Sequence, residues 1–177
     1  MPKATTALGD LNEIDECYIQ IAGGQRVVPR ILPEISDSKS TSYTDESIIG
    51  RSFPVKTFSH SENRTISIEW HFIVLKESDI DDNLRDLRLF QSCCYPRDGF
   101  GGSPYRPPPV CKIKCGKMLG NNGVCAVLKS YTVKYPTDQV IDIDTMMPHK
   151  FSLSMTWDVV YASSDLPGQT RIVTDGS

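Results

Sequence analysis

The clearest pattern along the chain is an alternation of apolar and polar side chains near its C-terminal end. In residues 151–161 every second residue is apolar, and most of the residues between them are polar. Successive side chains of a β-strand point to opposite faces, so this pattern predicts a strand with one buried face. Residues 65–75 alternate in the same way and predict a second strand.

Shorter apolar runs predict further strands, at residues 17–21, 25–32, 110–116 and 124–135. The turn sequence Gly-Asn-Asn-Gly at 120–123 separates the last two, which therefore predict a β-hairpin. Within the second of these strands the apolar side chains change face near Lys129 and Ser130, and this change predicts a β-bulge.

One helix is predicted over about residues 79–94, because apolar residues recur there at helical spacing. Ser78 is the predicted N-cap, with Asp81 as its acidic partner in a capping box, and the helix ends before Pro96. A helix among strands predicts an α+β fold, mostly β. We expect a single antiparallel sheet, or a small barrel or sandwich, with one flanking helix.

Residues 34–58 differ from the rest because Ser, Thr and Asp dominate them, and they predict a long polar loop. Long loops in compact domains are uncommon unless they are functional or disordered. Ile48, Ile49 and Phe53 are apolar anchors in this segment and favour a docking loop. The alternative is a surface excursion that folds back on its own domain.

The remaining organisation is one domain, residues 14–161, between a flexible arm at 1–13 and a polar tail at 162–177. The chain has 177 residues, and its 19 Lys and Arg against 22 Asp and Glu give a formal charge of −3. This balance argues against a sequence-blind nucleic-acid binder, which needs a basic face. The N-terminal residues lack the apolar core of a secretory signal, and no run is long enough for a membrane helix, so we expect a soluble protein made in the cytoplasm.

Six cysteines leave three interpretations open: buried thiols, disulfides formed outside a reducing compartment, or a structural metal site. Cys111 and Cys115 lie on one face of a predicted strand, too far apart to bond to each other, but either could face Cys125 across the hairpin. These three cysteines are therefore the predicted participants in any disulfide. Metal ligation is disfavoured, because no second pair of ligands follows at a suitable spacing.

No catalytic site can be assembled from the sequence. It has no nucleophilic-serine, phosphate-loop or paired-histidine motif, and His60, His71 and His149 are scattered. Asp142 and Asp144 form a carboxylate pair, but two carboxylates make a poor divalent-cation site. We therefore expect a protein that is not an enzyme, with no catalytic residues, no metal and no cofactor.

The order of several motifs resembles the tail-tube-like proteins in the baseplates of contractile-tailed bacteriophages. These motifs are Ile-Gly-Arg-Ser-Phe-Pro-Val from residue 49, Asn-Arg-Thr-Ile-Ser-Ile from 63, Pro-Pro-Pro-Val from 107, Lys-Ser-Tyr-Thr-Val from 129 and Pro-His-Lys-Phe-Ser-Leu-Ser-Met-Thr-Trp from 148. The family includes tube initiators and baseplate-hub adaptors, some of which carry a peptidoglycan-binding LysM module. Here the chain ends soon after the last strand, so peptidoglycan binding is not expected.

The resemblance implies a structural virion protein with a tube-type fold whose copies form a ring, hexameric, around the DNA channel. It implies the tail-tube protein as a neighbour on one side and hub and wedge proteins on the other, with no membrane and no sequence-specific nucleic acid. It also implies that the loop docks on an adjacent subunit, with Ile48, Ile49 and Phe53 as buried anchors and Arg51 as a charged contact.

Two other functions remain open at this stage. A tail-tube or tail-terminator protein elsewhere in the tail would share the same fold and differ in whether its copies form long tubes or one closed ring. A small cytosolic β-domain that binds a ligand or acts as an enzyme would need a pocket with convergent polar groups.

Overall fold

The computed structural model describes residues 14–21, 24–50, 52–98, 105–138 and 140–161. The predicted N-terminal arm and C-terminal tail lie outside these residues, so the predicted domain boundaries remain predictions. None of the helices in the described segments is both long enough and apolar enough to cross a membrane.

The described residues form a mostly β structure with one helix, which confirms the predicted α+β, mostly β class. In chain order the elements are β1 (Cys17–Gln20), β2 (Arg26–Val27), β3 (Glu34–Ser38), β4 (Thr41–Glu46), β5 (Val55–Ser61), β6 (Thr65–Ile73), α1 (Glu77–Ser92), β7 (Arg97–Asp98), β8 (Tyr105–Arg106), β9 (Cys111–Cys115), β10 (Val124–Lys134) and β11 (Lys150–Val159). Seven strands make one antiparallel sheet in the order β2-β1-β9-β10-β11-β6-β3. Among the described strands β2 and β3 are the two edges, so this sheet is open and not a closed barrel.

The centre of the sheet is the pair of strands with the strongest alternation. β6 and β11 pair over nine residues, from Ile73 opposite Lys150 to Thr65 opposite Asp158. Every second side chain of both strands is apolar and buried on one face, where Trp157 and Ile66 lie opposite each other with no exposed surface. Alternate burial along both strands follows from the two-residue period of a pleated strand, so the apolar pattern fixes which face is the core.

The β9–β10 hairpin and its bulge are both present as predicted. The register of β10 against β11 shifts between Leu128 and Ser130. In the turn, Gly123 has a φ of 71°, and a Cβ placed there would lie 2.5 Å from the carbonyl oxygen of Ile113. This position therefore needs glycine both for its backbone conformation and for space.

The helix packs on the core face of the sheet through Phe90, whose ring meets that of Trp70 edge-on at 5.2 Å. It begins two residues earlier than predicted, with Lys76 at the N-cap. The predicted cap at Ser78 and box partner at Asp81 are wrong, because both side chains are exposed and Asp79 takes the role instead. Asp79 Oδ2 accepts hydrogen bonds from the backbone N–H groups of Leu75 and Lys76 at 3.1 and 2.9 Å.

Residues 34–58 are not a polar loop. They contain β3, which pairs with β6 at the edge of the sheet, then β4 and the start of β5, which form a separate two-stranded sheet. Nearly every side chain of β4 and β5 is exposed. A strand that buries neither face carries no apolar alternation, so its sequence resembles that of a loop.

Candidate assembly surface

The two-stranded sheet is the continuation of an edge ribbon beyond the main sheet. The β3–β6 ladder ends at Ser38 opposite Thr65, and the β4–β5 ladder begins at Thr41 opposite Ser61. Between the two ladders, the backbone N–H of Glu62 donates to the carbonyl oxygen of Ser40 at 2.9 Å. The ribbon therefore leaves the sheet as one antiparallel pair of strands, and we call residues 41–61 the projecting hairpin.

An ion pair fastens the base of this hairpin to the sheet. Arg64 lies just before β6 and Asp37 lies on β3, and Arg64 Nε donates to the two carboxylate oxygens of Asp37 at 2.9 and 3.1 Å. This hydrogen bonding raises the pKa of Arg64, although partial burial opposes the rise. The planar guanidinium engages the carboxylate with two nitrogens and so fixes the direction in which the ribbon leaves the sheet.

The projecting hairpin carries apolar side chains that its own chain does not cover. Tyr43 on β4 and Phe58 on β5 lie opposite each other, with their rings edge-on at 6.1 Å, and each is more than half exposed. The turn between the strands holds Ile48, Ile49 and Phe53, with exposures of 49, 104 and 81%. Contiguous exposed apolar surface is typical of a contact site on another molecule.

The structure therefore brings three of the four predicted docking residues to one turn, and the fourth, Arg51, lies outside the described residues. Ile49 and Phe53 are largely exposed, so neither is buried against the described part of its own domain. Their role in docking remains a prediction. Sequence reasoning missed Tyr43 and Phe58, for which the only signal was two aromatic residues within a Ser- and Thr-rich segment.

The sheet face opposite the core is polar and carries both signs of charge. Its side chains include Glu69, His71, Lys112, Lys114, Ser152, Ser154, Thr156 and Asp158. Ser152 Oγ donates to Glu69 Oε1 at 3.0 Å across the β6–β11 pair, and Lys129 Nζ lies 3.5 Å from Asp158 Oδ2. Acidic side chains of β6 and β11 share this face with basic side chains of β9, so it is not a uniformly basic groove of the kind that binds nucleic acid.

The described cysteines are all thiols, and they lie on two faces of the sheet. Cys111 and Cys115 are buried on the core face of β9, as predicted, but Cys125 is exposed and lies opposite Lys112 on the polar face. The interpretation that either faces Cys125 is therefore wrong, because the hairpin register places these sulfurs on opposite sides of the sheet. Cys115 instead lies opposite Cys17 of β1.

Asp142, one of the two carboxylates that precede the last strand, stabilises a turn. Asp142 accepts hydrogen bonds from the hydroxyl and the backbone N–H of Thr145, and these bonds lower the pKa of its carboxyl group. No group of three or more metal-ligating side chains occurs in the described parts of the chain. His149 donates its backbone N–H to Val140, which places it in the same turn.

Comparisons with known proteins find likenesses among solved structures. No family model matches the chain, and no curated protein matches its sequence. Among solved structures, it is similar to a chain described as "Tail of empty GTA particle computed with helical refinement, C6 symmetry". The TM-score is 0.40 and the identity 11%, over 85% of this chain and 96% of that chain. A likeness at this level is too low to support a function.

Proposed function

We propose that this protein is a structural virion component of a phage tail, and specifically a ring-forming subunit of the baseplate that connects the tail tube to hub and wedge proteins. The observation that carries this proposal is the projecting hairpin, which exposes apolar side chains on both strands and at its turn. The order of sequence motifs, which resembles that of tail-tube-like baseplate proteins, supports the same assignment.

The hairpin is suited to a contact between copies because two strands that pack against nothing else have little stability of their own. An isolated two-stranded hairpin is marginally stable in water, and three or more strands or a packed face are needed for independent stability. In a ring, the hairpin of each copy lies on the next copy and buries Ile48, Ile49 and Phe53 there. Such a contact joins two different surfaces, so it closes into a ring when the rotation between copies divides a full turn.

The polar face of the sheet suits the inner wall of such a ring, which we propose is hexameric. DNA passing through a channel must not bind its wall, and a face that carries Glu69 and Asp158 as well as Lys112 and Lys114 is not uniformly basic. The protein would then act in the virion tail after synthesis in the host cytoplasm, without catalysis, cofactor or membrane.

The test is the mass of the purified protein in solution, alone and with the tail-tube protein of the same phage. We expect a closed oligomer that nucleates tubes, or a monomer that forms rings on contact with tube protein. Long tubes formed by this protein alone would instead favour the tail-tube alternative. A monomer that stays indifferent to tube protein would overturn the proposal.

A double variant, Ile49→Ser with Phe53→Ser, tests the hairpin itself. Both side chains are exposed, so the folded monomer should keep its stability within about 0.5 kcal/mol while ring formation is lost. Met118→Ser is the matched control, because Met118 is also an exposed apolar residue but lies in the β9–β10 turn. Rings that form normally from the double variant would exclude the hairpin as the contact.

A further inference from the structure

Two buried cysteines face each other across neighbouring strands near the sheet edge. Cys17, the first residue of β1, lies directly opposite Cys115, the last residue of β9. They are 3% and 1% exposed, and they occupy the same position on opposite sides of the β1–β9 pair. Both side chains therefore point to the core face and approach each other.

The backbone hydrogen bonds show which type of antiparallel pair these residues form. The N–H of Gly116 donates to the carbonyl oxygen of Glu16 at 2.8 Å, and the N–H of Cys17 donates to Ile14 at 2.8 Å. Glu16 and Gly116 are the neighbours of Cys17 and Cys115, so this hydrogen bond joins the residues beside the two cysteines and not the cysteines themselves. That arrangement defines a non-hydrogen-bonded pair. In such pairs the Cα atoms are about 4.5 Å apart and the side chains are at their closest. This separation lies within the roughly 4.4–6.8 Å that a disulfide spans.

The other cysteines have different neighbours. Cys111 Sγ lies 3.8 Å from Cys93 Sγ at the end of the helix, and Cys125 lies on the opposite face of the sheet. Cys111 and Cys115 are four residue steps apart along β9, or about 13 Å, so the two cannot compete for one partner. The register therefore leaves Cys115 as the partner of Cys17.

We propose that Cys17 and Cys115 form a disulfide site that closes when the protein meets a small-molecule disulfide of the oxidised-glutathione type. One cysteine thiolate attacks the small disulfide, a mixed disulfide forms, and one glutathione thiolate leaves. The second cysteine thiolate then attacks the mixed disulfide and displaces the second glutathione. Two protein thiols are thereby oxidised to one disulfide, and one molecule of oxidised glutathione is reduced to two of glutathione.

The position of β1 near the sheet edge determines how the buried thiols become accessible to the small disulfide. Burial raises the pKa of Cys17, and contact with Cys115 raises it further, so the reactive thiolate is scarce in the closed structure. Among the strands that the structure describes, the two-residue β2 alone covers the outer edge of β1. Reaction therefore proceeds through opening of this edge, is slow in the native protein, and afterwards ties β1 covalently to β9.

The experiment incubates the full chain with oxidised glutathione, blocks remaining thiols under denaturing conditions, and maps peptides without reduction. We expect one linked peptide pair containing Cys17 and Cys115. The closed loop is long, so the thermal midpoint should rise by roughly 5–15 °C. This inference does not depend on the proposed function, since it concerns the isolated chain.

Variants separate this bond from other oxidation. Cys125→Ser removes the exposed thiol and should leave the linked peptide and the rise in midpoint unchanged, whereas Cys115→Ala should abolish both. If Cys115→Ala does not fold, the wild-type map alone decides. Cys17 and Cys115 recovered fully alkylated, or either of them linked to another cysteine of the chain, would overturn the proposal.

Discussion

A few residues set the local geometry on which the sheet depends. Gly123 lets β10 return beside β9, Arg64 and Asp37 hold the base of the projecting hairpin, and Cys17 faces Cys115 across β1 and β9. The ion pair and the cysteine pair each join residues that are far apart in sequence. For that reason the sequence predicts the face on which Cys111 and Cys115 lie, by strand parity, but not which residue stands opposite either of them.

Gly123→Ala should destabilise the protein by about 2–4 kcal/mol, because alanine would adopt a left-handed backbone and place its Cβ against the carbonyl of Ile113. Gly116→Ala is the matched control in the same turn, with a φ of 50° but open space around the added Cβ. It should cost only about 1 kcal/mol. Urea unfolding measures both, and equal losses would mean that the close approach to Ile113 plays no part.

Cys17 should make folding less stable in alkaline solution. Its pKa is raised in the folded protein from an ordinary value of 9.0, so above that pH the unfolded thiol loses its proton while the folded thiol keeps it. The unfolded state then binds fewer protons, and the free energy of unfolding falls as pH rises. Comparison of wild type and Cys17→Ala under reducing conditions, at neutral pH and at roughly pH 10, isolates the effect. A difference in the free energy of unfolding between the two proteins that does not change with pH would contradict this prediction.

At the level of elements, the sequence pattern predicts those that bury one face and fails for those that bury none. β6, β9, β10, β11 and α1 all show their period in the sequence because one side of each lies in the core. β4 and β5 bury neither side, so nothing constrains their residues to alternate, and they are recognised only once their hydrogen bonds are known. The start of α1 is harder to predict, because Ser78, Asp79 and Asp81 are all polar residues suited to a helix N-terminus.

Asp79→Ala should destabilise the protein by about 1–3 kcal/mol, because it removes the acceptor for two backbone N–H groups and the partner of Arg30, whose Nη1 lies 2.7 Å from Asp79 Oδ1. Asp81→Ala, on the exposed side of the same turn, should have almost no effect. Thermal unfolding of both variants decides between the two caps. A larger loss from Asp81→Ala would restore the cap predicted from the sequence.

The same carboxylate should contribute to acid sensitivity. Burial alone would raise the pKa of Asp79, but the bonds from Arg30 and the two backbone N–H groups outweigh it and lower the pKa below its ordinary 3.8. This stabilisation is present above the unfolded pKa and disappears as pH falls through the folded one. Wild type and Asp79→Ala should therefore converge in stability below that range, and a constant difference down to strong acid would argue against the ion pair.

For the molecule as a whole, strand order was beyond prediction because it depends on pairings between distant segments. β1 pairs with β9 and β11 pairs with β6, across most of the chain, and β2 and β3 are left as edges. Composition and alternation predict the amount of sheet and its buried face. They contain no information on which strand lies beside which, because an apolar face can pack against any other.

Hydrogen exchange should divide the isolated chain into a stable centre and a labile extension. Amides of β6, β10 and β11 lie inside the sheet, and we expect them to exchange roughly three orders of magnitude more slowly than those of β4 and β5. In assembled rings the amides of the projecting hairpin should become protected, while those of the sheet centre stay as they were. Equal protection of the hairpin in the monomer would mean that it needs no partner.

The path of the edge ribbon also has a mechanical consequence. β5 runs into β6 through three residues, and β6 lies beside β11 along nine residue pairs. The hydrogen bonds of an antiparallel pair are perpendicular to the strands, so traction applied at the hairpin tip along the ribbon loads all of these bonds at once and cannot break them one after another. A pull on the exposed turn of the hairpin is thus resisted in shear by the nine-pair ladder at the centre of the sheet.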